Sequence, residues 1–209
     1  MGKGEYSEYD TFIGVRVPQI RDVAKQHFES IDFNEISLLI NHPIHEVRHC
    51  GLIILLNKYQ KQDKKAVFNY YLDNINTVNN WDLVDSTAPQ IIGDYIVNHP
   101  QKLALLFNFS ASKDLWERRI AIVATWVFIK QGKFDTTFEI SKLLLNDKHD
   151  LIHKAVGWML REVYKKDKEV CKQFLRENYA QLPRTTLRYA IERMEEAERL
   201  RYLKKGLYV

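Results

Sequence analysis

The chain has 209 residues, a formal net charge of +4, 45% hydrophobic and 12% aromatic residues. Apolar side chains spread along its whole length exclude disorder, and 8 Gly and 5 Pro are too few for a collagenous chain or for many short strands joined by turns. The charge is uneven: residues 1–112 hold 10 Lys/Arg against 13 Asp/Glu, and residues 113–209 hold 21 against 14. The second half therefore suits an anionic partner, nucleic acid first, with a merely solvated charged surface as the plain alternative.

In chain order, the residues before Phe12 make a poor helix start, so 1–12 is expected to be irregular. Helical periodicity then predicts helices over 18–28, 34–41, 43–59, 64–74, 80–97, 101–108, 114–130, 136–145, 150–165, 168–178 and 184–203. Pro18, Pro43, Pro100 and Pro183 suit first turns, and Asp114, Asp135, Asp150 and Asp167 suit N-caps. No segment alternates as a half-buried strand does. Cys50 and Cys171 lie in apolar helical runs and read as core thiols in a reducing compartment. No run reaches the roughly 18 apolar residues of a membrane span, and Met1-Gly2-Lys3-Gly4-Glu5 opens no secretory signal. A soluble, cytoplasmic, monomeric chain without membrane contact is expected.

A basic residue followed two positions later by a small one recurs at Arg48, Arg119 and Arg188, and one position later at Lys154, and Asp85 holds the same phase of its own helix. The steps along 48, 85, 119, 154 and 188 are 37, 34, 35 and 34 residues, one helical hairpin each. The expected fold is all-α: a right-handed superhelix of HEAT-like hairpin repeats, a single domain over 1–209. Equivalent positions of stacked repeats form a row, and Arg48, Arg119, Lys154 and Arg188 in such a row suit a phosphate backbone. Alternatively, each cation simply bonds a neighbouring carboxylate. Asp85 interrupts the row. Trp81 lies four residues before it, Trp158 four after Lys154, and Trp116 three before Arg119, so indoles share faces with these charges. Core packing is the competing role for each Trp.

Asn79-Asn80-Trp81-Asp82-Leu83-Val84-Asp85-Ser86, Trp116-Glu117-Arg118-Arg119-Ile120-Ala121, Lys154-Ala155-Val156-Gly157-Trp158-Met159-Leu160-Arg161-Glu162 and the opening Ile13-Gly14-Val15-Arg16-Val17-Pro18 together resemble the AlkD-type DNA alkylation repair proteins, HEAT-like DNA glycosylases. The resemblance runs over about residues 12–195. It implies a concave face carrying Trp81, Asp85, Arg119 and Trp158, excision of N3- and N7-alkylpurines from double-stranded DNA, no metal and no organic cofactor, and action at the nucleoid. Such proteins typically carry further helices before the segment matching Ile13–Pro18. Here only residues 1–12 precede it, so part of the DNA grip is expected to be missing. That leaves a second reading, a non-enzymatic HEAT module that binds DNA structure or a protein partner.

His45-Glu46-Val47-Arg48-His49 matches the H-E-x-x-H pattern of zinc proteases, with both His on one helix face. The extended form of the pattern needs Gly at 52 and His at 55, where Leu stands at both, and Arg48 sets a cation beside any metal. The motif reads instead as the start of a repeat helix. His27, His42, His99, His149 and His153 fall mostly at helix ends, where capping or surface roles suit them.

Overall fold

The computed structural model describes residues 10–204; residues 1–9, most of the segment expected to be irregular, lie outside it. Among the described residues there is no strand. An isolated parallel bridge pairs Thr11 with Ile44, where the His45 amide donates to the Thr11 carbonyl at 2.9 Å. The chain divides into two compact units, one up to Tyr95 and one from Ile96 on. No described helix is long and apolar enough to cross a membrane.

The first unit holds α1 (Val17–His27), α2 (Phe33–Ile40), α3 (His45–Lys61), α4 (Lys64–Asp73) and α5 (Trp81–Ala88). α3 is its hub and packs against the other four. Every residue from Gly51 to Leu56 is buried, so this helix is apolar on all sides at its middle. A Cβ on Gly51 would lie 2.8 Å from Leu39 Cβ, which is why α2 can approach the α3 backbone. α2 starts at a reciprocal cap: Asp32 accepts from the Glu35 amide at 2.9 Å and Glu35 from the Asp32 amide at 2.8 Å.

The expected helix 80–97 is continuous in path but not in type. After α5 the chain makes a π-helical segment, Pro89–Gly93, before α6 (Asp94–Asn98). Pro89 has no amide to donate and its ring crowds the carbonyl four residues back, that of Asp85; a wider turn absorbs both.

The second unit holds α7 (Ala104–Ser110), α8 (Leu115–Val123), α9 (Trp126–Lys130), α10 (Asp135–Leu144), α11 (Asp150–Lys166), α12 (Lys168–Glu177), α13 (Arg184–Ala190) and α14 (Glu196–Leu203). Here α11 is the hub. Two expected helices are broken. Within 114–130, the fully buried Thr125 turns its hydroxyl onto the Ile122 carbonyl at 2.7 Å, the acceptor the next helical amide needs, and α8 ends there. Within 184–203, the chain turns after Ala190. α14 then returns to the core, with Tyr202 buried, Tyr179 Oη donating to the Tyr202 carbonyl at 2.8 Å and Lys172 pairing with Glu198 at 2.8 Å.

Asp114 and Asp167 cap α8 and α12 as expected, accepting from the amides of Trp116 at 2.7 Å and Val170 at 3.1 Å. The expectation for Asp135 and Asp150 is corrected by one residue. Phe134 and His149 hold the N-cap positions, and the two carboxylates sit in the first turn, facing the positive end of the helix dipole.

Candidate functional site

In the first unit, α5 buries Leu83, Val84, Thr87 and Ala88 against the core. That leaves Trp81 and Asp85, one turn apart, on a shared outer face. Trp81 is 42% exposed, a large indole left in water, and Asp85 is half-buried. Between them Asp82 points the other way, toward α3.

α3 and α5 are joined by a polar ladder. His45 Nε2 lies 2.8 Å from Asp82 Oδ2, and His49 Nε2 lies 3.3 Å from Ser86 Oγ. Burial pulls the His49 pKa below its ordinary value, so the ring is neutral at pH 7; the Asp82 charge opposes this without reversing it. For Asp82 burial raises the pKa, but the hydrogen bond and charge of His45 outweigh it and hold the carboxyl below its usual range. Behind His45 sits Asp10. It pairs with Arg48 Nη2, accepts from Asn80 Nδ2 at 2.5 Å and lies 3.5 Å from His45 Nδ1.

Glu46, the residue a zinc protease would use as general base, is taken up by backbone amides. Its carboxylate accepts from the Ile13 amide at 3.1 Å and the Gly14 amide at 2.8 Å. Burial pushes its pKa up, but these backbone bonds, with that of Val15, pull it further down to a net value below the ordinary 4.5. Glu46 is thus a clamp on the chain entering α1, where Gly14 takes a positive φ of 84°.

The sequence-predicted backbone-binding residues differ in their surroundings. Arg48 is only 7% exposed; it pairs with Asp10 and donates from Nη1 to the carbonyls of His42 at 3.4 Å and Pro43 at 3.3 Å. A phosphate at Arg48 must displace Asp10. In the second unit, Arg119 on α8 is 4% exposed and donates to the Leu151 carbonyl at 2.6 Å, at the start of α11. Its neighbour Arg118 binds Asp147 at 2.6 Å and the carbonyls of Ser112 and Lys113. On α11, Lys154 pairs with Asp150 at 3.0 Å, while Trp158 is half-buried and donates from Nε1 to Glu162 at 3.2 Å. Arg188 on α13 is exposed. α11 and α13 touch closely, Thr186 Oγ1 donating to the His153 carbonyl at 3.1 Å.

Sequence reasoning passed over Asp10, Asn80 and Asp82, which organise the α3–α5 contact. A signal existed: 45 to 82 and 49 to 86 are both steps of 37 residues, the first step of the repeat.

A family model described as DNA alkylation repair enzyme matches residues 2–194. No curated protein matches the chain. Among solved structures, a predicted DNA alkylation repair enzyme of Enterococcus faecalis is similar with a TM-score of 0.74 at 17% identity, over 91% of this chain and 92% of that one. AlkD2 of Streptococcus mutans is similar with a TM-score of 0.66 at 16% identity, over 91% and 94% of the two chains. A third similar chain, smu.31 of the same species, has a TM-score of 0.59 at 15% identity, over 91% and 92%. At these identities the likenesses establish a shared all-helical repeat fold.

Proposed function

The chain belongs to the DNA alkylation repair enzyme family, and from that premise we propose that it is a monofunctional DNA glycosylase that hydrolyses the N-glycosidic bond of cationic N3- and N7-alkylpurines in double-stranded DNA. The observation that carries the reading is the outer face of α5, where an indole 42% exposed stands one turn from a carboxylate. The reading treats residues 1–209 as a single HEAT-like domain acting as a monomer, with Trp81, Asp85, Arg119 and Trp158 addressing one lesion.

An alkylated purine carries positive charge, so its bond to the sugar is already weak. As the C1′–N bond breaks, the purine leaves with the electron pair and cationic charge develops on the deoxyribose. The Asp85 carboxylate stabilises that charge and orients the water that attacks C1′, taking up its proton. Trp81 and Trp158 add cation–π attraction of about 0.5–2 kcal/mol each. Arg119 holds a phosphate beside the lesion once its guanidinium turns out from the Leu151 carbonyl, and Lys154 and Arg188 continue the backbone contact. No metal or organic cofactor takes part in this bond cleavage.

Release of N7-methylguanine from methylated duplex DNA by the purified protein tests the reading. Asp85→Asn keeps shape and hydrogen bonding but removes the charge, so base release falls about 10²–10³-fold while DNA affinity and melting temperature stay near wild type. DNA binding without release by wild type would instead support a non-enzymatic repeat module.

A further inference from the structure

The two histidines of His45-Glu46-Val47-Arg48-His49 find a third group that the motif does not name. One donor atom each from His45, His49 and Asp82 lies within 4.8 Å of the others. His45 and His49 come from one face of α3, and Asp82 comes from the first turn of α5. In a zinc site with bonds of about 2.0–2.1 Å, neighbouring donor atoms stand about 3.3 Å apart. The His45–Asp82 pair at 2.8 Å needs to open slightly and the widest separation needs to close, both within reach of side-chain rotation. The two His are buried, and the Asp82 side chain is 27% exposed, which opens a path from solvent.

We propose that His45, His49 and Asp82 bind one divalent transition-metal ion of the Zn²⁺ class. One further observation points to a ligand. Asp82 Oδ1, on a residue of the cluster, is a buried acceptor with no hydrogen-bond partner among the described residues, and so is Asn80 Oδ1 two residues earlier in the chain. At the far ring nitrogen of His45, Asp10 Oδ2 lies 3.5 Å from Nδ1, and Arg48 Nη2, which pairs with Asp10, lies 3.4 Å from the same atom. Arg48, the cation that counted against a metal in the sequence, is matched by Asp10, so the Asp82 charge is left to meet the ion.

Two imidazoles and one carboxylate suit Zn²⁺, Co²⁺ or Fe²⁺ better than Mg²⁺ or Ca²⁺, which take oxygen ligands. Glu46 is held by backbone amides, so no general base stands over the ion, and the site ties α3 to α5 without hydrolysing a peptide. This departs from the sequence-based expectation of no metal and is independent of the glycosylase reading. If both hold, the ion stiffens the first turn of the helix that carries Trp81 and Asp85.

Chelator-stripped full-length protein, titrated with Co²⁺ and then with Zn²⁺, tests the proposal. One Co²⁺ per chain is expected, with visible d–d absorption and two hyperfine-shifted imidazole N–H signals in the proton NMR spectrum. Zn²⁺ then displaces it and, at a free concentration about a hundredfold above its Kd, raises the melting temperature by about 5–10 °C. His49→Gln and Asp82→Asn lose the stoichiometric Co²⁺ spectrum. No absorption band in wild type, fewer than two shifted imidazole signals, or an unchanged spectrum in folded His49→Gln and Asp82→Asn overturns it. Since the wild-type spectrum counts the histidine ligands, the result stands even where a variant fails to fold.

Discussion

Replacing Gly157 by Ala separates packing from helix propensity, because the two predict opposite signs. Gly157 lies in the middle of α11, and its new Cβ would sit 2.5 Å from Tyr189 Cβ and 2.6 Å from the Thr186 carbonyl oxygen on α13. Ordinary contact begins near 3.4 Å, so α13 must retreat by about 0.8–0.9 Å. Neither neighbouring atom is the end of a flexible side chain, so no rotamer change relieves the clash. A gap of that size forfeits about a quarter to a half of the dispersion attraction of each contact it opens. It also strains the Thr186–His153 bond, now 3.1 Å. Overpacking of this kind costs about 1–3 kcal/mol, and backbone involvement places this case at the upper end. Better helix propensity offsets about 1 kcal/mol. The net loss of about 2 kcal/mol lowers the melting temperature by about 4–8 °C, measured by circular dichroism at 222 nm. A melting temperature equal to or above wild type would refute the close-packed contact, since that is what propensity alone demands.

Three further outcomes are expected. Glu46→Gln loses about 1–3 kcal/mol at neutral pH, since charged hydrogen bonds to the Ile13 and Gly14 amides are replaced by weaker or repulsive ones. The Glu46 carboxyl titrates below its ordinary 4.5 in the fold, so its contribution is complete above about pH 4.5 and fades as pH falls through the lower folded-state value; denaturant melts of wild type and variant should converge in acid. If DNA is bound through its backbone, Lys154→Ala with Arg188→Ala reduces the slope of log affinity against log salt by about 1–2, similarly for any sequence. Arg48→Ala instead lowers the melting temperature, because it leaves Asp10 without its cation; a large change in the salt slope with unchanged stability would contradict this assignment. Burial pushes the Cys171 thiol up to about 12, so it should resist thiol reagents until the protein unfolds; rapid labelling of the native chain at this position would show that the packing around α12 is looser than described.

The all-helical class was legible in the sequence because the 3.6-residue period of apolar side chains is a local property, present before any helix meets another. The caps at Asp114 and Asp167 were legible for the same reason: each side chain bonds an amide within three residues. Repeat phasing went further and identified equivalent positions at steps of 34–37 residues. What phasing does not carry is the side of each helix that faces its neighbour. Arg48 and Asp85 are equivalent by the step of 37, yet the residues that meet across α3 and α5 at that same step are His45 with Asp82 and His49 with Ser86. Arg48 turns instead to Asp10, a residue 38 positions before it that no periodicity links to it. The broken helices at Thr125 and Ala190 were hidden too, since both breaks answer to burial: a hydroxyl with no water to bond takes a backbone carbonyl, and a charged tail turns so that Tyr202 reaches the core. Periodicity is written in one chain segment at a time. The orientation of a docked face, and with it the fate of every charge on that face, is decided only when two segments exclude the water between them.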